Sequence, residues 1–210
     1  MSTVLVLGYR QYGRYLFNTC EAIVEALNGS RIKGFSVKAM SIPVSLRFVR
    51  EEVPKILESV RPMVAIGLGM APGFRRVVVE MAATNLATFE IPDVDRHVAN
   101  HEEIHPGEPT ILEMPIPRSK ILEKCIRGRR LPMKLGLSVG TYLCNALAYT
   151  IARYAKRNSA LAAFMHVPMH SDYALRNRFE GPTLPLRESI ECIKCVIEAC
   201  LEVLSSGREE

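Results

Sequence analysis

The chain has 210 residues, 48% hydrophobic and 23% charged, with a formal net charge of +5. That is enough for one compact domain with a sizeable core, and no Gly/Ser/Pro-rich linker divides it. No apolar run approaches the roughly 20 residues of a membrane-spanning helix, and the opening Met-Ser-Thr-Val-Leu-Val-Leu-Gly reads as a strand rather than a signal peptide, so a cytoplasmic protein is expected. Thr3 to Leu7 is that first buried strand. An aromatic-rich loop, Tyr9 to Tyr15, follows; the two glycines Gly8 and Gly13 fit neither a phosphate-binding loop nor the dinucleotide fingerprint. Asn18 or Thr19 then caps a helix running to about Leu27, and Phe35 to Met40 forms a second strand. Ser45 to Val60 has helical periodicity, with Pro54 expected to kink it or to begin a second helix. Met63 to Gly67 is a third buried strand, after which Gly67, Gly69, Pro72 and Gly73 break the chain.

Val77 to Ala83 is apolar and β-branched around one carboxylate, Glu80. Buried and unpaired, that carboxylate would cost several kcal/mol, so a buried Glu80 demands a partner, whereas on a solvated face it carries no message. Ile91 to Gly107 reads as a loop rich in Asp, His and Glu. Its His101-Glu102-Glu103-Ile104-His105 matches the letters of a zinc-protease helix, but Pro106 biases His105 away from helical geometry. A zinc hydrolase built on His101 and His105 is therefore the weaker alternative. Ile111 to Met114 suggests a strand, and Ser119 starts a helix ending near Gly128.

Lys134 to Ser138 is a further strand, Gly140 supplies a turn, and Thr141 can cap a helix whose apolar stripe is Leu143, Leu147, Ile151 and Tyr154. Cys144 falls in the first turn of that helix, where unpaired backbone N–H groups and the helix dipole stabilise a thiolate. The stretch alone leaves a small core hydrophobe as an equal reading of Cys144. Ala160 to Phe164 is another buried run, ending at Met165-His166-Val167-Pro168, and the last helix spans about Leu186 to Leu204. Strands alternating with helices imply an α/β fold: a single domain with a twisted, mostly parallel sheet flanked by helices on both faces. Ligands of such sheets sit at the carboxyl ends of the strands, where His166 would be. The basic cluster Lys120, Lys124, Arg127, Arg129, Arg130 and Lys134 reads as a solvated face, with no nucleic-acid motif beside it. Six cysteines without secretory context argue against a disulfide framework, and Cys192, Cys195 and Cys200 are expected in core or subunit-interface packing.

Taken together, three stretches resemble the signatures of the pyroglutamyl peptidase family of cysteine exopeptidases. Gly73, Glu80, Ala83 and Asn85 fit its glutamate signature; Gly140, Tyr142, Leu143, Cys144 and Asn145 its cysteine signature; and Phe164 to Pro168 its histidine signature. Ile91-Pro92-Asp93 and Pro182-Thr183-Leu184 also have counterparts. The resemblance implies a catalytic Cys144, His166 and Glu80, no metal or organic cofactor, and removal of an N-terminal pyroglutamyl residue through an acyl-enzyme. It also implies a homo-oligomer, often a tetramer in the family, acting on small peptides with a blocked N-terminus, and it brings in neither nucleic acid nor membrane.

Tyr9, Tyr12, Met70, Phe74, Glu90 and Tyr142 are assigned to the substrate pocket. Several of these depart from the family pattern. Tyr9 and Tyr12 replace two phenylalanines, Gln11 a proline and Arg14 a glycine in the first loop. Phe74 stands where arginine is common, Met81 replaces a basic residue, and Glu90 takes the place of an arginine near the active site. At ~5 Å and an effective dielectric near 20, Glu90 would oppose a thiolate by about 3 kcal/mol, roughly a hundredfold in rate. The chemistry is thus expected to persist with an altered acyl specificity, or the chain to be a non-catalytic binding protein that keeps the fold.

Overall fold

Apolar runs that lack polar alternation can be buried on both faces, and three of them make the centre of the sheet. The structure, a computed structural model, describes residues 3–206. It begins with β1 (Thr3–Tyr9), α1 (Thr19–Leu27), the hairpin β2 (Arg31–Ile32) and β3 (Phe35–Ile42), α2 (Leu46–Val60) and β4 (Val64–Met70). Short strands follow: β5 (Val77–Glu80), β6 (Ala82–Thr84), β7 (Ala87–Phe89), β8 (Ala99–Glu102) and β9 (Ile111–Glu113). Next come α3 (Arg118–Ile121), continued by a π-helical segment Leu122–Gly128, then β10 (Met133–Gly136), α4 (Leu143–Arg157) and β11 (Leu161–Val167). The end is β12 (Met169–His170), α5 (Ser171–Arg176), β13 (Thr183–Leu184) and α6 (Leu186–Ser206).

The main sheet has the order β10-β5-β11-β4-β1-β3-β2. Strands β11, β4, β1 and β3 are mutually parallel, β5 enters antiparallel to β11, and β10 runs parallel to β5. Alternate residues of β1 feed two cores. Leu5, Leu7 and Tyr9 face α2 and α4, while Val4 and Val6 face α1 and α6. The result is a single-domain α/β fold with helices on both faces.

Local chemistry explains most of the boundaries. Asn18 caps α1 by accepting from the Cys20 N–H at 2.8 Å, and Ser45 caps α2 by accepting from Phe48 at 3.0 Å. Pro54 neither ends α2 nor starts a second helix there. The stripe Leu46, Val49, Val53 and Leu57 is fully buried on both sides of the proline, and this packing outweighs one lost backbone hydrogen bond. Thr141 does not cap α4; its hydroxyl donates instead to the Thr88 carbonyl at 2.9 Å, and the capping position falls to Tyr142.

The cysteines bring a correction. Cys125, on the π-helical segment, is disulfide-bonded to Cys195 of α6, their Cα atoms 5.9 Å apart. Compartment arguments from sequence cannot see that two residues 70 positions apart face each other across a helix contact. Cys192 and Cys200 are free and buried, and burial pushes both thiols up to about 12.

Much of the basic cluster is tied down rather than simply solvated. Lys33, Lys120 and Lys124 pair with Glu202, and Lys124 and Arg129 with Glu198, so the cations brace α6. Hydrogen bonds from Lys124, Lys33 and Lys120, against some burial, hold Glu202 down to about 2. Among the described residues, no helix is long and apolar enough to cross a membrane.

Candidate active site

Sheet register brings Glu80 and His166 together. In the antiparallel pair, Phe164 faces Glu80 and His166 faces Val78, so His166 and Glu80 are diagonal neighbours on one face. Their side chains meet there, His166 Nδ1 to Glu80 Oε1 at 2.8 Å. Both are well sequestered, with side-chain exposures of 12% and 3%. The partner that a buried Glu80 demanded is therefore the imidazole 86 residues away.

Cys144 arrives on the same face from the first turn of α4. With Nδ1 occupied by Glu80, the other ring nitrogen, Nε2, is left for the Cys144 sulfur, which lies with the imidazole beside Gly69. Burial pulls the His166 pKa down, but hydrogen bonds and charge from Cys144 and Glu80 outweigh it and hold the ring at about 9. Among the described residues Glu80 Oε2 has no hydrogen-bond partner, and it lies against Gly136, the residue paired with Glu80 across β10 and β5.

Glycines clear the space. Gly69 is registered beside His166 on β4, and a Cβ placed there would lie 2.5 Å from the Cys144 sulfur. Replacing Gly69 with alanine is expected to push the sulfur off the imidazole and lower kcat at least tenfold, since misplacement of about an ångström is costly in catalysis. Steady-state kinetics on the folded variant, checked by circular dichroism, measures this; unchanged kcat would contradict it. From sequence Gly69 reads only as a chain breaker, because close approach is invisible before the strands are paired.

A cavity of about 750 Å³ opens beside the sulfur, walled by Tyr9, Tyr12, Met70, Tyr142, Leu143 and Cys144, with Arg14, Tyr15 and Ile91 among its other lining residues. Tyr9 and Met70 are the last residues of β1 and β4, which is where a parallel sheet offers its loops to a ligand. The Tyr9 hydroxyl donates to the Leu143 carbonyl at 2.5 Å, tying the first strand to the start of α4. Burial, then the charges of Cys144, Tyr142 and Cys20, raise the Tyr9 pKa far enough to keep it a neutral phenol. Tyr142 packs edge-on to Phe89, and its buried hydroxyl faces the Tyr12 phenol without a hydrogen bond of normal geometry. Burial and that phenol together raise the Tyr142 pKa.

Two residues assigned to the pocket lie elsewhere. Phe74 does not line the cavity; its ring packs edge-on against His166 with centroids 5.6 Å apart. Glu90 is exposed and is not among the residues lining the cavity, so water screens its charge and weakens the repulsion of a thiolate expected from sequence.

Two residues that the sequence signatures include without a role hold the frame. Asn145 accepts from the Thr84 N–H and donates to the carbonyls of Thr84 and Leu86, fastening α4 to the segment after Glu80. Buried Asp93 accepts from the backbone of Leu46, Asp95 and His97, joining the start of α2 to the loop at the pocket rim. For Asn145 the signal was its place in the cysteine signature, together with its being a polar residue in an otherwise apolar helix start.

The two candidate zinc ligands do not converge. His101 is exposed with a left-handed backbone, φ 55°, and its ring contacts Asn100, whereas His105 bonds Thr150 at 2.8 Å through Nε2. Burial, reinforced by Arg153, lowers His105 to about 4. Among the described residues, no group of three or more His, Cys, Asp or Glu could hold a metal.

The family profile for pyroglutamyl peptidase matches residues 2–203. The chain belongs to the pyroglutamyl peptidase family. It is 32% identical over 199 residues to pyrrolidone-carboxylate peptidase 1 of Saccharolobus solfataricus, covering 95% of this chain and 94% of that one. Identity to the Pyrococcus furiosus pyrrolidone-carboxylate peptidase is 31% over 206 residues, 96% and 99% of the two chains. The solved pyrrolidone carboxyl peptidase of Thermococcus litoralis superposes with a TM-score of 0.91 at 27% identity, over 99% of this chain and 96% of that one. Family membership favours a cysteine-type peptidase over both a zinc hydrolase and a bare binding protein.

Proposed function

We propose that this member of the family removes N-terminal pyroglutamate, with Cys144 as nucleophile, His166 as proton carrier and Glu80 as the group that holds the imidazole. The observation that carries this reading is the 2.8 Å bond between Glu80 and His166 with the Cys144 sulfur beside the same imidazole at Gly69. The Cys144 sulfur attacks the pyroglutamyl carbonyl carbon, and the resulting oxyanion meets backbone N–H groups that open α4, which lack intrahelical acceptors. His166 gives its proton to the departing amine, leaving a thioester on Cys144. Neutral His166 then takes a proton from water as the hydroxide adds to the thioester, and returns it to sulfur as free pyroglutamate leaves. Tyr9, Tyr12, Met70 and Tyr142 enclose the lactam in this reading, and the two phenolic rings supply faces comparable to phenylalanine. Glu90 stays at the periphery.

The experiment is turnover of a pyroglutamyl coumarin amide by the purified chain, followed by titration with iodoacetamide. Release of coumarin, lost in proportion to one alkylated thiol per chain at Cys144, is expected. Absence of thiol-dependent turnover on any pyroglutamyl substrate would refute the reading. Action in the cytoplasm and assembly as a homo-oligomer, a tetramer by family resemblance, belong to the same proposal, and light scattering tests the assembly.

A further inference from the structure

The cavity beside Cys144 does not end at the lactam. A second cavity of about 300 Å³ is lined by Arg14, Tyr15, Asn177, Arg178, Phe179, Glu180 and Gly181, and it shares Arg14 and Tyr15 with the first. The first cavity is far roomier than a five-membered lactam requires, and Arg14 and Tyr15 form the wall it shares with the second, so a ligand that extends beyond the lactam meets Arg14. Two guanidinium groups line these cavities, Arg14 both of them and Arg178 the second. Arg14 lies over the Tyr15 ring, 5.1 Å from its centroid, and donates to the Tyr15 hydroxyl at 3.1 Å, which fixes its position without neutralising it. Arg178 sits in a left-handed turn, φ 49°, that projects from the end of α5. Neither makes an ion pair among the described residues, and Glu180 on the same wall pairs with neither. The nearby Arg176 is engaged over the Phe17 ring. Asn177 pins the scaffold, accepting from the Leu16 and Phe17 N–H groups at 2.7 and 3.1 Å, so the first loop and the end of α5 move as one wall.

We infer that Arg14 and Arg178 form a carboxylate-binding subsite for the leaving side of the substrate. The favoured substrates are then short pyroglutamyl peptides bearing a carboxylate just beyond the scissile bond. The carboxylate can come from the C-terminus of a dipeptide or from an acidic side chain in the second position; planar guanidinium groups suit either. This rests on the pyroglutamyl peptidase reading above and adds its leaving-group preference.

The test compares kcat/KM for pyroglutamyl-alanine, pyroglutamyl-alanine amide, pyroglutamyl-glutamate amide and a neutral pyroglutamyl coumarin amide, on wild type, Arg14→Gln and Arg178→Gln. On wild type, at least one carboxylate-bearing peptide is expected to exceed the neutral alanine amide by about five- to tenfold, mostly through KM, and less at high salt. In each variant that ratio should fall toward one, and because it is taken within one protein, any general loss of activity cancels. Preference for pyroglutamyl-alanine alone assigns the subsite to the terminal carboxylate, and preference for pyroglutamyl-glutamate amide alone assigns it to the side chain. Turnover of the neutral substrate with a wild-type ratio of one, or a ratio that survives in both variants, overturns the subsite and leaves the peptidase reading intact. No turnover on any of the four overturns both.

Discussion

Glu80→Gln is expected to lower kcat by about a thousandfold with a much smaller change in KM, because the isosteric amide keeps the shape and removes the charge. The carboxylate accepts from His166 Nδ1 at 2.8 Å. That fixes the tautomer that presents Nε2 to sulfur, and it stabilises the ring once protonated. A glutamine in this place offers either an NH2 that repels the Nδ1–H or a neutral oxygen that stabilises an imidazolium weakly. The pH profile separates this from general damage. With its sulfur and carboxylate partners His166 is held at about 9, so a mechanism needing a protonated imidazole keeps its activity until the pH approaches that value. Losing Glu80 removes an influence that raises the pKa, and the alkaline limb of kcat/KM should move to lower pH in the variant. The stability linkage has the same sign. His166 is raised above the unfolded value of about 6.5, so its contribution is complete below about 6.5 and is lost as pH rises through about 9. Retention of most of kcat, or an unmoved alkaline limb, would remove Glu80 from the mechanism.

The second large effect concerns stability. Cutting the Cys125–Cys195 bond, by reductant or by Cys125→Ser, is expected to cost about 4 kcal/mol, because the bridge closes a loop spanning 70 residues of sequence. For a domain of this size that corresponds to a fall in melting temperature of roughly 10 °C. The closed loop contains β10, α4 and the strand bearing His166, so the crosslink restrains much of the unfolded chain that must converge on the site. Calorimetry of oxidised, reduced and Cys125→Ser protein measures it. Identical melting temperatures in all three would show that the bridge contributes nothing.

Sequence alone determined the order of the main strands and helices, because apolar runs and helical spacing are local properties, but it read the stretch holding β8 as loop and missed short elements such as β7, β12 and α5. It determined the three side chains most worth following, because their flanking letters match a family pattern. It also placed Cys144 correctly in a first helical turn. What it could not determine was anything set by register or by distance between segments. Only the pairing of β5 antiparallel to β11 makes Glu80 a neighbour of His166, and only the position of Gly69 on β4 shows that the sulfur needs the room a side chain would take. Glu90 and Phe74 were assigned to the pocket by position in the chain, and the fold turned one toward solvent and set the other against the imidazole. The disulfide was likewise hidden, since composition and compartment say nothing about which two cysteines a helix contact brings within 5.9 Å. Local pattern is written in neighbouring residues; charge, contact and access depend on segments far apart in the chain, and these acquire neighbours only when the sheet is assembled.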